Sequence, residues 1–310
     1  KGRAVASRSK TGRGRATDGL ARLVWEHSPD LVESRTRVAG DRATVERSAL
    51  LPNPTLDASI VTVSGGVRPL DGTDAAVVAR EPWRPLTPTE VATLVATDPA
   101  PCARSVSVLY LGEETLELGR RTLLPLLDPD AGATVDRSGS LRAFQSAVLS
   151  QLYDRHGLVP ETVGAADLVV QRPGQVSTAF NKGTGRYMGL HIDSHQRLAL
   201  GERGGAMTLC AVNLGRGARH LHYVPRSVAG IADDLAARGE GIPASALALK
   251  DAFFAARPDE PVLRLTLAPG QAYLCVTQNT IHDGATGTHA DVAFLTMSRF
   301  ADEPPRRAAG

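Results

Sequence analysis

From about Ala166 onward the chain reads as a succession of short β-rich runs separated by turn residues, and this texture constrains its fold more than any other feature. The runs are ADLVVQ, QVSTAF, YMGLHIDSH, AMTLCAVNL, HLHYVP, VLRLTL, QAYLCVT and DVAFLTMSRF. Two helical stretches, about Val228–Arg238 and Ala244–Ala256, interrupt them between the fifth run and the sixth. Strands this short, with turn signals at their junctions, predict an antiparallel sandwich or barrel of the jelly-roll kind.

Upstream the texture is mixed. Gly19–Val38 spaces Leu20, Leu23, Val24 and Trp25 in a roughly helical way, and Ala58–Val63 alternates weakly as a strand. Thr87-Pro88-Thr89-Glu90 supplies a hydroxyl cap, a proline at the first helical position and a carboxylate three residues after the cap. It predicts a helix to about Thr97, followed by a strand over Arg104–Leu111. Residues 125–140 are dense in Pro, Asp and Gly and read as a linker. Leu141–Arg155 then reads as a strong helix with Leu141, Phe144, Val148 and Leu152 on one face, stopped by Gly157. The expected fold class is therefore α+β. A disordered basic leader (1–18) would precede an N-terminal α/β extension (19–165), a β core (166–300) with a helical insert at 228–256, and a tail (301–310).

A hydrophobic content of 42% and a formal net charge of +2 over 310 residues describe an ordinary globular chain, not a fibrous or tail-like one. No apolar run approaches the ~18–20 residues that cross a bilayer. The N-terminus shows no apolar signal segment, so the expected compartment is the cytoplasm, with no membrane partner. Cys102, Cys210 and Cys275 are too few and too far apart for a disulfide framework or a zinc ribbon, and read as small buried hydrophobes. Lys1, Arg3, Arg8, Lys10, Arg13 and Arg15 form an acid-free leader. No aromatic residue is interleaved for base stacking, so a solvated arm is expected rather than a nucleic-acid partner.

Chemistry concentrates in RYMGLHIDSHQ, residues 186–196. Strand periodicity would put Tyr187, Gly189, His191, Asp193 and His195 on one face, where ligands at i and i+2 can reach the same ion. A third ligand must come from elsewhere, and LAPGQAYLCVTQNTIHDG offers His282 beside Asp283 and Gly284. Two imidazoles and a carboxylate on one side of a metal leave three positions open, the arrangement that suits non-haem Fe(II) binding a cosubstrate and dioxygen together.

His191-Ile192-Asp193, a distal His282 after the strand PGQAYLCV, and a last β-rich run reaching Arg299 resemble the Fe(II)/2-oxoglutarate-dependent oxygenases, over roughly residues 166–300. Asn181-Lys182-Gly183-Thr184-Gly185-Arg186-Tyr187 resembles the segment before HxD in prolyl-hydroxylase-like members, where a tyrosine can contact the cosubstrate. The resemblance implies a double-stranded β-helix, a cupin-like jelly roll with iron at its mouth. It implies Fe(II) on His191, Asp193 and His282, Arg299 on the distal carboxylate of 2-oxoglutarate, and Tyr187 near that cosubstrate. Dioxygen would be consumed and succinate and carbon dioxide released. Members that halogenate carry a small residue in place of the carboxylate, so Asp193 implies hydroxylation or a related oxidation.

Several rivals weigh against these residues. GTGRYMG (183–189) could be a dinucleotide loop, but no helix follows it. A zincin needs glutamate directly after its first histidine, and position 192 is Ile. A cupin usually carries HxH with a following glutamate; Glu202 could complete such a set. A metal-free β-sandwich binding module is the reading from another class. His220 and His222 form a further HxH pair that reads as structural, and His195 reads as a pocket residue. Arg172, Lys182 and Arg186 precede the metal run and would give the mouth positive charge. An anionic small molecule, such as an amino acid or a specialised metabolite, suits it as substrate.

Overall fold

The computed structural model describes residues 36–39, 60–70, 73–94, 105–127 and 136–301. The basic leader, the helical pattern as far as Arg35, and nearly all of the C-terminal tail lie outside these residues.

Numbered in chain order, six strands form an antiparallel sheet in the order β1 (Thr36–Ala39), β6 (Ser105–Tyr110), β13 (Gln271–Cys275), β10 (Thr208–Asn213), β15 (Asp291–Phe300) and β7 (Pro160–Gln171). A second antiparallel sheet runs β14 (Thr280–Thr286), β11 (Arg219–Ser227), β12 (Val262–Leu267), β2 (Val61–Ser64) and β5 (Arg84–Pro85). Two hairpins complete the set: β3 (Val67–Leu70) with β4 (Thr73–Ala79), and β8 (Phe180–Asn181) with β9 (Arg186–Tyr187).

Alternation along the strands decides what faces what. Val61, Val63, Leu221, Tyr223, Leu263 and Leu265 of the second sheet share one buried cluster with Val106, Val108, Ala211, Tyr273 and Cys275 of the first. The two sheets therefore close over a common interior, where each fully buried aliphatic side chain contributes ~1.5–3 kcal/mol. The first sheet turns its other residues, among them Leu109, Cys210, Val212, Leu274 and Phe294, toward the helix Arg137–His156. Phe144 of that helix meets Phe294 edge-on, with ring centroids 4.7 Å apart. Helices Val228–Ala237 and Ala246–Ala256 bury Ile231, Leu235, Leu249 and Phe253 in a third cluster with Val224 and Val262.

Local signals set the helix ends, with the Thr87–Glu90 cap and the Gly157 stop as expected and the start of the long helix four residues earlier than Leu141. Glu90 N donates to Thr87 Oγ1 (3.2 Å) and Thr87 N to Glu90 Oε2 (2.8 Å), the reciprocal cap expected before the helix Pro88–Leu94. The long helix starts at Arg137 because the Asp136 carboxylate accepts from Gly139 N (3.0 Å). It stops at Gly157, whose φ of 59° suits a left-handed cap.

Three readings differ. Thr36–Val38, assigned to a helical pattern, belong to β1, where the backbone partners offered by β6 outweigh a weak local preference. Of the linker at 125–140, residues 125–127 lie in the single turn Leu124–Leu127, and from Arg137 the chain is helical. Residues 160–165 already belong to β7, and β2 and β6 from the N-terminal half extend the two sheets.

Candidate metal centre

A further difference concerns the site. QVSTAF and YMGLHIDSH were read as strands, yet they contribute only Phe180 and Tyr187 to a short hairpin. Gly189 breaks the alternation with a φ of +64°. A Cβ there would stand 2.3 Å from the Val77 carbonyl oxygen, so only glycine lets the chain pass β4 this closely. Leu190 N then donates to that same oxygen (2.7 Å). The single-face arrangement of Tyr187, Gly189, His191, Asp193 and His195 is thus not formed.

His191 and Asp193 nonetheless converge with His282, by backbone pairing to other segments. His191 N donates to His282 O (2.9 Å) and His282 N to His191 O (2.8 Å). His282 lies on β14 opposite Tyr223 of β11, which is a member of the interior cluster. Asp193 N donates to Thr277 O (3.2 Å) in the turn between β13 and β14. The run around His282 was not read as a strand, because Gly, Asp and His are weak strand formers that β11 nevertheless pairs.

One donor atom from each of His191, Asp193 and His282 lies within 4.8 Å of the others. His191 Nε2 is 3.5 Å from Asp193 Oδ1, and His282 Nε2 is 3.8 Å from Asp193 Oδ2. Donors at right angles on one ion, with bonds of ~2.1 Å, stand ~3 Å apart, so a shift of about an ångström per side chain closes the cage. The tautomers fit as well. His191 Nδ1 lies 2.8 Å from Gly189 O and His282 Nδ1 3.3 Å from Thr280 O. A proton on each Nδ1 leaves the Nε2 lone pairs facing Asp193, as metal-binding imidazoles require.

Electrostatics follow from burial and proximity. Burial raises the Asp193 carboxyl, but His191 and His282 overcome it and hold it well below the usual carboxylate range. Burial also opposes protonation of His191, yet the contact with Asp193 outweighs it and raises the imidazole. His282, buried, is pushed down to about 4 by burial and by His191. Asp283 is pushed up to about 7 by burial, while its Oδ1 accepts from Gly284 N (2.8 Å).

The remaining residues singled out in the sequence are distributed around this trio. Cys275, Leu209 and Met297 are cross-strand neighbours, which puts exposed Arg299 at the end of the larger sheet level with the 276–279 turn that anchors Asp193. Tyr187 is exposed on the β8–β9 hairpin, edge-on to Phe180, and its hydroxyl accepts from Gln175 Nε2. Arg186 and Lys182 are exposed on the same hairpin, and Arg172 is exposed just before it. His195 Nδ1 stands 4.0 Å from Asp193 Oδ2, at the rim. Glu202, exposed, is not among the converging donors, which removes the cupin-type ligand set. His222 stacks on Trp83 (4.8 Å) and His220 Nδ1 faces Thr266 Oγ1 (3.1 Å), in keeping with a structural role.

Two residues escaped the sequence reading. Tyr223, opposite His282, is fully buried, and its hydroxyl has no hydrogen-bond partner among the described residues. Its signal was the alternation Arg219, Leu221, Tyr223 along β11. Arg203 is buried behind Asp193 and carries no local signal in the sequence.

No family model matches the chain. No curated protein matches it either. Among solved structures it is similar to the Kdo hydroxylase KdoO, a non-haem Fe(II) alphaketoglutarate-dependent dioxygenase, in complex with cobalt(II), at 14% identity and a TM-score of 0.36. A second structure of KdoO, with succinate and Fe(III), gives 14% identity and a TM-score of 0.35. Both matches cover 52% of this chain and 61% of the other, so they span about three fifths of that enzyme's length. An N-substituted L-amino acid dioxygenase from Burkholderia ambifaria AMMD matches at 14% identity with a TM-score of 0.29, over 78% of this chain and 98% of that one. Among the described residues no helix is long and apolar enough to cross a membrane.

Proposed function

We propose that this chain is a non-haem Fe(II)- and 2-oxoglutarate-dependent dioxygenase built on a double-stranded β-helix, oxidising an unactivated C–H bond of a small molecule. One observation carries the reading. His191 and Asp193 on one segment and His282 on another bring one donor atom each within 4.8 Å of the others, and both imidazoles hold their Nδ1 against backbone carbonyls.

When bound there with 2-oxoglutarate and dioxygen, iron supplies the oxidation of R–H to R–OH, with one oxygen atom going to the product and the other to succinate as carbon dioxide leaves. The chain's own residues hold and orient. His191 and His282 present neutral Nε2 donors, and the Asp193 carboxylate offsets one of the ion's two charges. Three donors on one side leave the opposite side open for cosubstrate and dioxygen. Arg299 offers a bidentate fork to the distal carboxylate of 2-oxoglutarate, a task for which an always-charged planar group is suited. The Tyr223 hydroxyl, without a hydrogen-bond partner among the described residues and beside His282 in the interior, is a donor available to an acceptor of that kind. Tyr187, exposed on the β8–β9 hairpin, is the residue proposed to contact the cosubstrate.

Arg172, Lys182 and Arg186 are exposed on the segment that leads into His191. They favour an anionic substrate, such as an amino acid or another carboxylated metabolite, with His195 at the rim within reach of it. The test is iron content and succinate release. The anaerobically loaded chain should hold one equivalent of iron and convert 2-oxoglutarate to succinate, at a rate that rises when the right carboxylated compound is supplied. His191→Ala should lose both properties; a variant that keeps iron and turnover sinks the assignment.

A further inference from the structure

We infer that Arg203 is a positioning residue for this centre, a single buried guanidinium that clamps the segment bearing Asp193 to the turn preceding His282. The inference rests on the metal-binding reading above. Arg203 belongs to the short 3-10 helix Leu200–Gly205, which contributes no donor to the trio, yet it is only 3% exposed. Its Nη1 donates to the Asp193 backbone oxygen (2.6 Å) and to Gln278 O (3.1 Å), and its Nη2 donates to Ser194 Oγ (2.9 Å). One planar group thus touches both segments whose separation sets the cage.

The surroundings reinforce that junction. Asp193 N donates to Thr277 O (3.2 Å), directly beside the Gln278 contact. Gln278, fully buried, accepts from Gln196 N (3.0 Å), and Gln196 Oε1 in turn accepts from Met207 N (2.8 Å). Residues 193–196, the 276–279 turn and the 200–207 stretch are therefore tied into one unit with Arg203 at its centre.

Burying a guanidinium is costly unless acceptors surround it, and among the described residues no carboxylate pairs with it. The carboxylate whose charge it feels is that of Asp193. What the arginine adds is geometry, because its rigid fork reaches three acceptors that a lysine head cannot meet at once. By fixing the Asp193 backbone from behind, it aims the carboxylate at the two imidazoles.

Arg203→Lys and Ser194→Ala in the full chain test this, with Co(II) as the probe. Co(II) affinity and visible absorption would be measured beside thermal unfolding without metal. Arg203→Lys should fold, bind Co(II) ~10–100-fold more weakly, and show an altered visible spectrum from a misdirected carboxylate. Ser194→Ala, which removes one of the three acceptors, should weaken Co(II) by a smaller factor in the same direction. A folded Arg203→Lys with parental affinity and spectrum overturns the inference, whatever its unfolding temperature. Should that variant fail to fold, parental affinity and spectrum in Ser194→Ala overturn it instead. A parent chain that takes up no Co(II) refutes the metal-binding reading itself, a result distinct from either of these.

Discussion

Replacing Gly189 by alanine puts a methyl group into the narrowest passage beside the candidate centre. The backbone there has φ +64°, a left-handed conformation that costs an L side chain ~1–2 kcal/mol. The added Cβ would also stand 2.3 Å from Val77 O and 3.1 Å from Val77 C and N. These are backbone atoms that cannot swing aside, so β4 must retreat. Its retreat breaks the bond from Leu190 N to Val77 O, now 2.7 Å. Losing that bond costs ~1 kcal/mol net, and a further ~1–3 kcal/mol if the amide of buried Leu190 finds no other acceptor. The sum is roughly 3–6 kcal/mol, a large part of the ~5–15 kcal/mol that holds a typical domain folded. The same shift moves Gly189 O, which stands 2.8 Å from His191 Nδ1 and sets the direction of that imidazole. Urea unfolding of the metal-free protein should show a lower midpoint with little change of slope. A Co(II) titration should show affinity weakened ~10-fold or more. A variant within ~1 kcal/mol of the parent that binds Co(II) equally well would refute both the close-approach argument and the role given to this carbonyl.

Two further outcomes are expected. Arg299→Ala should leave metal uptake unchanged and raise the KM for 2-oxoglutarate by ~10-fold or more, the worth of a charge-assisted pair, read from succinate release; an unaltered KM would place the anchor elsewhere. Glu90 is held at about 2 chiefly by Arg84, whose Nη1 and Nη2 each lie 2.7 Å from a carboxylate oxygen. A depressed carboxyl stabilises fully above its ordinary value of 4.5 and loses that contribution as pH falls toward 2. The pair faces solvent, so Glu90→Gln should cost ~1 kcal/mol or less at neutral pH, a gap in urea midpoint that closes as pH drops through that window. A gap that persists unchanged at low pH contradicts it.

The parts of this fold that were legible in the sequence are those whose cause is local. Thr87-Pro88-Thr89-Glu90 specifies its own cap, and Leu141, Phe144, Val148 and Leu152 recur at helical spacing whatever they pack against. The donors were legible for a different reason: two ligands two residues apart and a distal histidine form a chemical pattern that survives ignorance of the path between them. The path itself was misread. Gly189 looks like any glycine in a β-rich run until Val77 is brought beside it. TIHDGAT has little strand propensity of its own and becomes β14 because β11 supplies partners along it. Arg203 was invisible because arginine is ordinarily an exposed residue, and no neighbour in LGERGG hints at burial.

What brings His282 to the His191–Asp193 pair is therefore backbone pairing rather than any side-chain motif. His191 and His282 exchange amide and carbonyl with each other, and the Asp193 amide is bound by the turn that leads into β14. Each donor is carried on a segment fixed by the main chain of another donor's segment. The side chains around it are then free to vary without moving the cage, except at the positions where backbone meets backbone or one group spans the junction. Gly189 is the first kind of position and Arg203 the second. If the cage is set in this way, substitutions at Ile192 that preserve apolar bulk should leave Co(II) affinity within a few-fold of the parent, while a single methyl at Gly189, which touches neither metal nor substrate, should not.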